Sequence, residues 1–149
     1  MLAKDIMTRD VITVEKDTPT GEMVKLLLEN KISGVPVVDD DDHVMGIVTE
    51  SNLIYKVEPM SPTATYWQNP KRFEKEHWKI IANNAGEIMT PDVITAKEET
   101  SVEELATLML ENHIKRIPIL KGKKLAGIVS RADVLRAILK SPAVSEVRW

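Results

Sequence analysis

The chain contains no cysteine. That excludes disulfides, thiol nucleophiles and cysteine-ligated zinc, and it fits a reducing cytoplasm. No apolar run approaches the ~20 residues needed to cross a bilayer. Met1-Leu2-Ala3-Lys4-Asp5 leads into no apolar signal core, so neither membrane association nor export is expected. Charge of one sign is also lacking. A formal net charge of -3 gives no general attraction to nucleic acid or to an anionic membrane. Nothing resembles a P-loop or a nucleophile–base pair, so no catalytic residue is expected. His43, His77 and His113 have no ligand spacing. Asp39 to Asp42 lack the spaced ligands and distal glutamate of an EF-hand and read as a solvated hairpin turn, so no metal is expected either. What remains, at 149 residues with 43% apolar and 29% charged side chains, is a soluble globular chain of one compact domain or two very small ones.

The dominant positive feature is an internal repeat. Ala3-Lys-Asp-Ile-Met-Thr-Arg-Asp-Val-Ile-Thr13 returns as Ala85-Gly-Glu-Ile-Met-Thr-Pro-Asp-Val-Ile-Thr95. Leu28-Glu-Asn-Lys-Ile32 is answered by Leu110-Glu-Asn-His-Ile114, Pro36 by Pro118, and Gly46-Ile-Val48 by Gly127-Ile-Val129. Two copies are too few for a solenoid and suggest two like units that bury a face against each other.

Each copy has the same local plan. Val11-Ile-Thr-Val14 and Val93-Ile-Thr95 are β-branched runs that predict strands. Thr18 before Pro19, and the Thr100-Ser-Val-Glu103 capping box, predict helix starts. Apolar positions at helical spacing follow: Met23, Leu26 and Leu27 in the first copy, Val102, Leu105, Ala106 and Met109 in the second. Val35–Val38 with Val44–Val48, and Ile117–Leu120 with Leu125–Val129, read as hairpins. Proline in the first strand of each hairpin predicts an edge or a strand start. Last helices are expected from Asn52 to about Val57 and from Ala132 to about Leu139. The expected fold class is therefore α/β (α+β), with two β-α-β-β-α repeats. Each copy of about 55 residues buries too little apolar surface to be secure alone, which predicts sheet-to-sheet pairing about an approximate two-fold axis. The expected organisation is repeat 1 over 1–57, an inserted linker with a helix over 58–84, repeat 2 over 85–141 and a tail over 142–149.

This order of Ile-Met-Thr, Val-Ile-Thr, helix, Val-Pro-Val and Gly-Ile-Val-Thr/Ser-x-x-Asp/Asn, occurring twice, resembles the cystathionine-β-synthase-type (CBS) domain. The resemblance covers nearly the whole chain except the linker. It implies a regulatory pair, not an enzyme, with a cleft between repeats that takes AMP, ADP, ATP or S-adenosylmethionine, and an association of two pairs as a homodimer.

The family's nucleotide signature is similar to Gly127, Ser130 and Asp133. One carboxylate can accept both hydroxyls of a ribose, and the Ser130 hydroxyl with the first helical N–H groups suits a phosphate. Gly127 would let a ligand approach the backbone. Adenine is expected near Val93, Ile94, Thr95, Ile117 and Pro118. Ser130-Arg-Ala-Asp133 is equally a capping box that needs no ligand. The first copy departs from the pattern with Thr49-Glu-Ser-Asn52: asparagine offers one carbonyl acceptor where aspartate offers two oxygens, so a weaker site or a plain cap is expected. Lys115 and Arg116 correspond to family positions that meet phosphates, and Arg131 is a third candidate. A solvated helix end, where cations favour the dipole, accounts equally for Lys115 and Arg116.

The linker holds Tyr66, Trp67, Phe73 and Trp78, with a helix expected to open at Pro70. These aromatics fit packing on the protein's own surface, a partner surface or a lid. The expected function is energy sensing: an adenine nucleotide (AMP, ADP or ATP) is bound as a regulatory ligand and an unknown effector protein is signalled. Alternatives are an interaction or scaffold subunit with vestigial pockets, and a sensor of S-adenosylmethionine or NAD(H).

Overall fold

The computed structural model describes residues 1–57 and 83–140, with side chains of 55–57 left aside. The expected linker helix, its four aromatics and the tail from 142 lie outside the described residues. In chain order the elements are α1 (Ala3–Ile6), α2 (Thr20–Asn30), β1 (Gly34–Val38), β2 (Val44–Thr49), α3 (Glu50–Val57), α4 (Ala85–Ile88), β3 (Ala96–Lys97), α5 (Val102–Asn112), β4 (Arg116–Lys121), β5 (Lys124–Ser130) and α6 (Arg131–Leu139). β1 and β2 form one sheet, and β3-β4-β5 form the other in that order. The mixed α/β character expected from the repeat is what is found.

The strands expected at Val11–Val14 and Val93–Thr95 are shorter and start later. Val14 makes a single parallel bridge to Val37, and β3 begins only at Ala96, opposite Ile119. Proline explains the delay. The Val14 N–H donates to the Pro36 carbonyl at 3.0 Å, so Pro36 turns that edge toward the incoming segment. Carbonyl and N–H of one strand residue point to the same side, and Pro36 has no N–H to bond the segment before Val14. Pro118 holds the same register position in β4. It lies within the central strand of its sheet, which corrects the expectation of an edge or strand start there, whereas Pro36 is in a two-stranded sheet with an isolated Val14–Val37 bridge on its other side and so sits on an edge strand as expected. Each is tolerated because the ladder begins only after it.

Both long helices start one residue later than expected. Thr18 accepts the Glu15 N–H at 3.1 Å and returns its own N–H to the Glu15 carbonyl at 3.0 Å. Thr100 does the same with Lys97, at 3.0 and 3.1 Å. These threonines therefore close a turn ahead of the helix instead of capping it. Ser101 caps α5 by accepting the Glu104 N–H at 3.1 Å. α2 begins after Pro19, and its buried Thr20 hydroxyl donates to the Asn83 carbonyl at 2.6 Å. Each helix ends on a left-handed residue, Lys31 at φ 53° and His113 at φ 54°. The helices bury Met23 and Leu27, and Val102, Leu105 and Met109, the stripe their spacing predicted.

The chain divides into two compact units that do not follow the repeat boundaries. One contains Met1–Val11, Asp41–Val44 and the described residues from Val93 onward; the other contains Ile12–Asp40 and the described residues of Met45–Asp92. In the first, Ala3 and Met7 join Val102, Leu105, Ile117, Val129 and Val134 in one core. The second gathers Val14, Met23, Val35, Val48 and Leu53 with Ala85 and Ile88. The short helix that opens each repeat thus completes the core of the other repeat's unit. Paired backbone bonds fix the exchange: Thr8 with Ile128 at 2.9 and 3.0 Å, and Thr90 with Ile47 at 2.8 and 3.0 Å.

Candidate functional site

β5 runs directly into α6, and the junction carries Ser130, Arg131 and Asp133. Ser130 caps the helix. Its Oγ accepts the Asp133 N–H at 3.2 Å, while Asp133 Oδ2 accepts the Ser130 N–H at 2.8 Å and the Ser130 hydroxyl at 3.0 Å. The capping-box reading is therefore realised in full. It leaves Asp133 Oδ1 turned to a different partner, the Arg136 guanidinium, at 2.5 Å. The Asp133 side chain is 12% exposed against 64% for Arg136, so the carboxylate is nearly buried while its partner reaches solvent.

Several donors expected to serve a phosphate are already committed. The Ser130 proton goes to Asp133, the Asp133 N–H to Ser130, and the Arg131 N–H to the Lys115 carbonyl at 2.9 Å. Most of the helix N-terminus is thus satisfied from within. The bond from Arg131 to Lys115 has a second effect: it ties the segment before β4 to the start of α6. Lys115 and Arg131 are exposed there, and Arg116 is half-buried and already engaged in a polar contact. Ile94 and Thr95 are half-buried. Ile117 and Pro118 are fully buried, and Ile117 belongs to the core, so neither side chain offers free surface. All of these lie in the unit that contains Asp133, whereas Thr49 and Asn52 lie in the other.

The first copy repeats the carboxylate half of this arrangement with an amide in its place. Asn52 Oδ1 accepts the Thr49 N–H at 2.8 Å and the Thr49 hydroxyl at 3.0 Å. Its Nδ2 then donates to the Thr90 hydroxyl at 3.1 Å. Both lone pairs of the amide oxygen and one of its two N–H groups are spent inside the fold.

Gly127 has a packing reason for being glycine. A β-carbon there would lie 2.5 Å from Met7 Sδ and 2.8 Å from the Thr8 carbonyl oxygen. Gly46 meets Met89 Sδ at 2.5 Å and the Thr90 carbonyl at 2.9 Å. The close approach foreseen for a ligand is made by the chain itself. Sequence reasoning also passed over Arg136, although its i,i+3 spacing from Asp133 on a helix was a legible signal.

Comparison with known proteins agrees with the repeat. The CBS domain family matches residues 3–58 and again 85–140, so the chain belongs to the CBS domain family. An uncharacterized protein of Methanocaldococcus jannaschii, MJ1404, is 33% identical over 144 residues; the match covers 95% of this chain and 33% of that protein. The chain thus spans a third of that relative's length. Among solved structures, CBSX2 of Arabidopsis thaliana in complex with AMP superposes with a TM-score of 0.74 at 28% identity, covering 93% of this chain and 96% of that one. The CBS domain pair of MJ0100, in complex with 5'-methylthioadenosine and S-adenosyl-L-methionine, gives 0.70 at 27% identity over 93% and 95%. Among the described residues, no helix is long and apolar enough to cross a membrane.

Proposed function

We propose that this chain is a non-catalytic regulatory module that binds an adenine nucleotide at the β5–α6 junction of its second repeat and signals occupancy to a separate effector protein. The observation that carries the reading is the nearly buried Asp133 carboxylate, oriented by the Ser130 cap so that Oδ1 lies outside the cap, paired with the exposed Arg136 and exchangeable for a ribose. Lys115, Arg116 and Arg131 supply cations for the phosphates, because most of the α6 N-terminus is internally satisfied. Ile94 and Thr95 stand nearest in sequence to the expected adenine position. Support also comes from the AMP bound by CBSX2 and the two adenosyl compounds bound by the MJ0100 pair. In the first repeat, the Asn52 amide bound to Thr90 favours a structural role, so one site per chain is the reading adopted. A thermal-shift series with AMP, ADP, ATP, S-adenosylmethionine and NADH tests it, since a ligand that binds the folded state raises the midpoint by mass action. An upward shift with an adenine nucleotide is expected. No shift with any of the five at millimolar concentration would replace this reading with an interaction subunit whose pockets are vestigial.

A further inference from the structure

Asp133 can be counted as an acceptor. An ionised carboxylate has about four lone-pair positions, two on each oxygen. Oδ2 is filled by the Ser130 N–H and hydroxyl, and Oδ1 takes a guanidinium N–H of Arg136. That leaves one position, whereas the two adjacent hydroxyls of a ribose bring two O–H donors. The Ser130 N–H bond belongs to the helix cap and cannot be given up without opening the first turn of α6, and the Ser130 hydroxyl, whose oxygen is held by the Asp133 N–H, places its proton on the same Oδ2. Arg136 is the movable partner: it is exposed, sits at the solvent end of the pair, and leaves the helix backbone untouched when it turns away.

We propose that Arg136 is a gating counter-ion of the nucleoside site, holding the Oδ1 position that a ribose diol must take and yielding it when the diol binds. This inference rests on the reading of Asp133 as a ribose anchor. It makes Arg136 a positioning residue that lowers affinity and sets the ribose preference. Arg136 differs from Lys115, Arg116 and Arg131 in kind: those raise affinity for a phosphate, whereas Arg136 opposes the diol.

Adenosine is the decisive probe because it carries no phosphate. We expect Arg136→Gln, which keeps a good helix former at this position, to bind adenosine up to about fivefold more tightly than wild type, the equivalent of one exposed ion-pair contact. Binding of 2'-deoxyadenosine, with one hydroxyl fewer, should change much less, so the ribose-over-deoxyribose preference widens in the variant. Salt supplies a readout that a structural role would not move. Screening weakens the Arg136–Asp133 pair, so wild-type affinity for adenosine rises from low to high salt, while that of Arg136→Gln stays flat. Arg136→Lys, which keeps the charge, should restore the salt response. Calorimetric titration of the three proteins decides it. Adenosine binding that is equal or weaker in Arg136→Gln, with wild type binding normally, overturns the gate and leaves the nucleotide site standing. Failure of both wild type and Arg136→Gln to bind any adenine compound removes the site and the gate together.

Discussion

Asn52 and Thr90 are joined by a 3.1 Å hydrogen bond from amide nitrogen to hydroxyl, across 38 positions of sequence. It ties the start of α3 to the segment that follows α4, inside one compact unit. An aspartate at 52 would be acceptor-only and could not donate to Thr90 in this way. The departure of the first copy from the family signature therefore has a use that needs no ligand.

Replacing Asn52 with alanine should cost stability. The substitution removes the acceptor for the Thr49 N–H and hydroxyl and the donor to Thr90. A neutral hydrogen bond of this kind contributes about 0.5–1.5 kcal/mol net. Urea unfolding should show a lower midpoint, while affinity for AMP should hardly move. A drop in AMP affinity without a drop in stability would instead place a ligand at Asn52.

Gly127→Ala should be more damaging than a surface glycine change. The added methyl meets both a methionine sulfur and a backbone carbonyl, and only the first can move aside. Overpacking of this kind costs about 1–3 kcal/mol. Shortening Met7 to alanine in the same chain should not recover that loss, because it empties a buried core position at a cost of about 2–5 kcal/mol and the Thr8 carbonyl remains 2.8 Å away. Gly122→Ala, at a turn with open space around it but φ of 63°, is a useful contrast: strain without collision, on the order of 1 kcal/mol. Equal costs at 127 and 122 would show that the Met7 contact is not tight.

Much of this fold was legible because the signals were local and occurred twice. The spacing of Val102, Leu105 and Met109 is enough to define the buried stripe of α5, and both hairpins follow from apolar runs around polar turns. What sequence did not reveal depended on distant partners. Thr18 and Thr100 look like caps until Glu15 and Lys97 are seen to engage them. Pro118 reads as an edge marker because nothing local shows that β3, the strand beside it, starts late. The exchange of α1 and α4 between units is invisible to a reading that assumes each repeat closes on itself. At the site, the Ser130–Asp133 box was legible, whereas Arg136 was hidden by attention to basic residues ahead of the helix.

Self-association should run through the helices that close the repeats. Ile54 on α3, and Leu135 and Leu139 on α6, are 60% or more exposed, and Ile138 is 39% exposed. Light scattering at micromolar concentration is expected to give the mass of a homodimer. Leu135→Lys with Leu139→Lys should reduce it to a monomer while leaving the unfolding of each chain nearly unchanged, since exposed substitutions usually stay within about 0.5 kcal/mol. A monomeric wild type would rule the dimer out.

Asp133 should dominate nucleotide affinity, and its two duties can be separated. Asp133→Ala removes both the ribose acceptor and half of the capping box. Asp133→Asn keeps an oxygen for the Ser130 N–H but loses the charge and the pairing with Arg136. A hydrogen bond to a charged group contributes about 1.5–3 kcal/mol, so AMP affinity should fall roughly tenfold to a hundredfold in Asp133→Ala. Asp133→Asn should lose nearly as much affinity while retaining more thermal stability. Phosphate contacts by Lys115, Arg116 and Arg131 add a further expectation: binding of AMP, and more so of ATP, should weaken as salt rises. The salt trend of adenosine should run the other way through Arg136. Calorimetry on wild type, the two Asp133 variants and Asn52→Ala resolves these effects. Asp133→Ala binding AMP as tightly as wild type, or Asn52→Ala proving the more damaging change, would move the nucleotide to the first repeat.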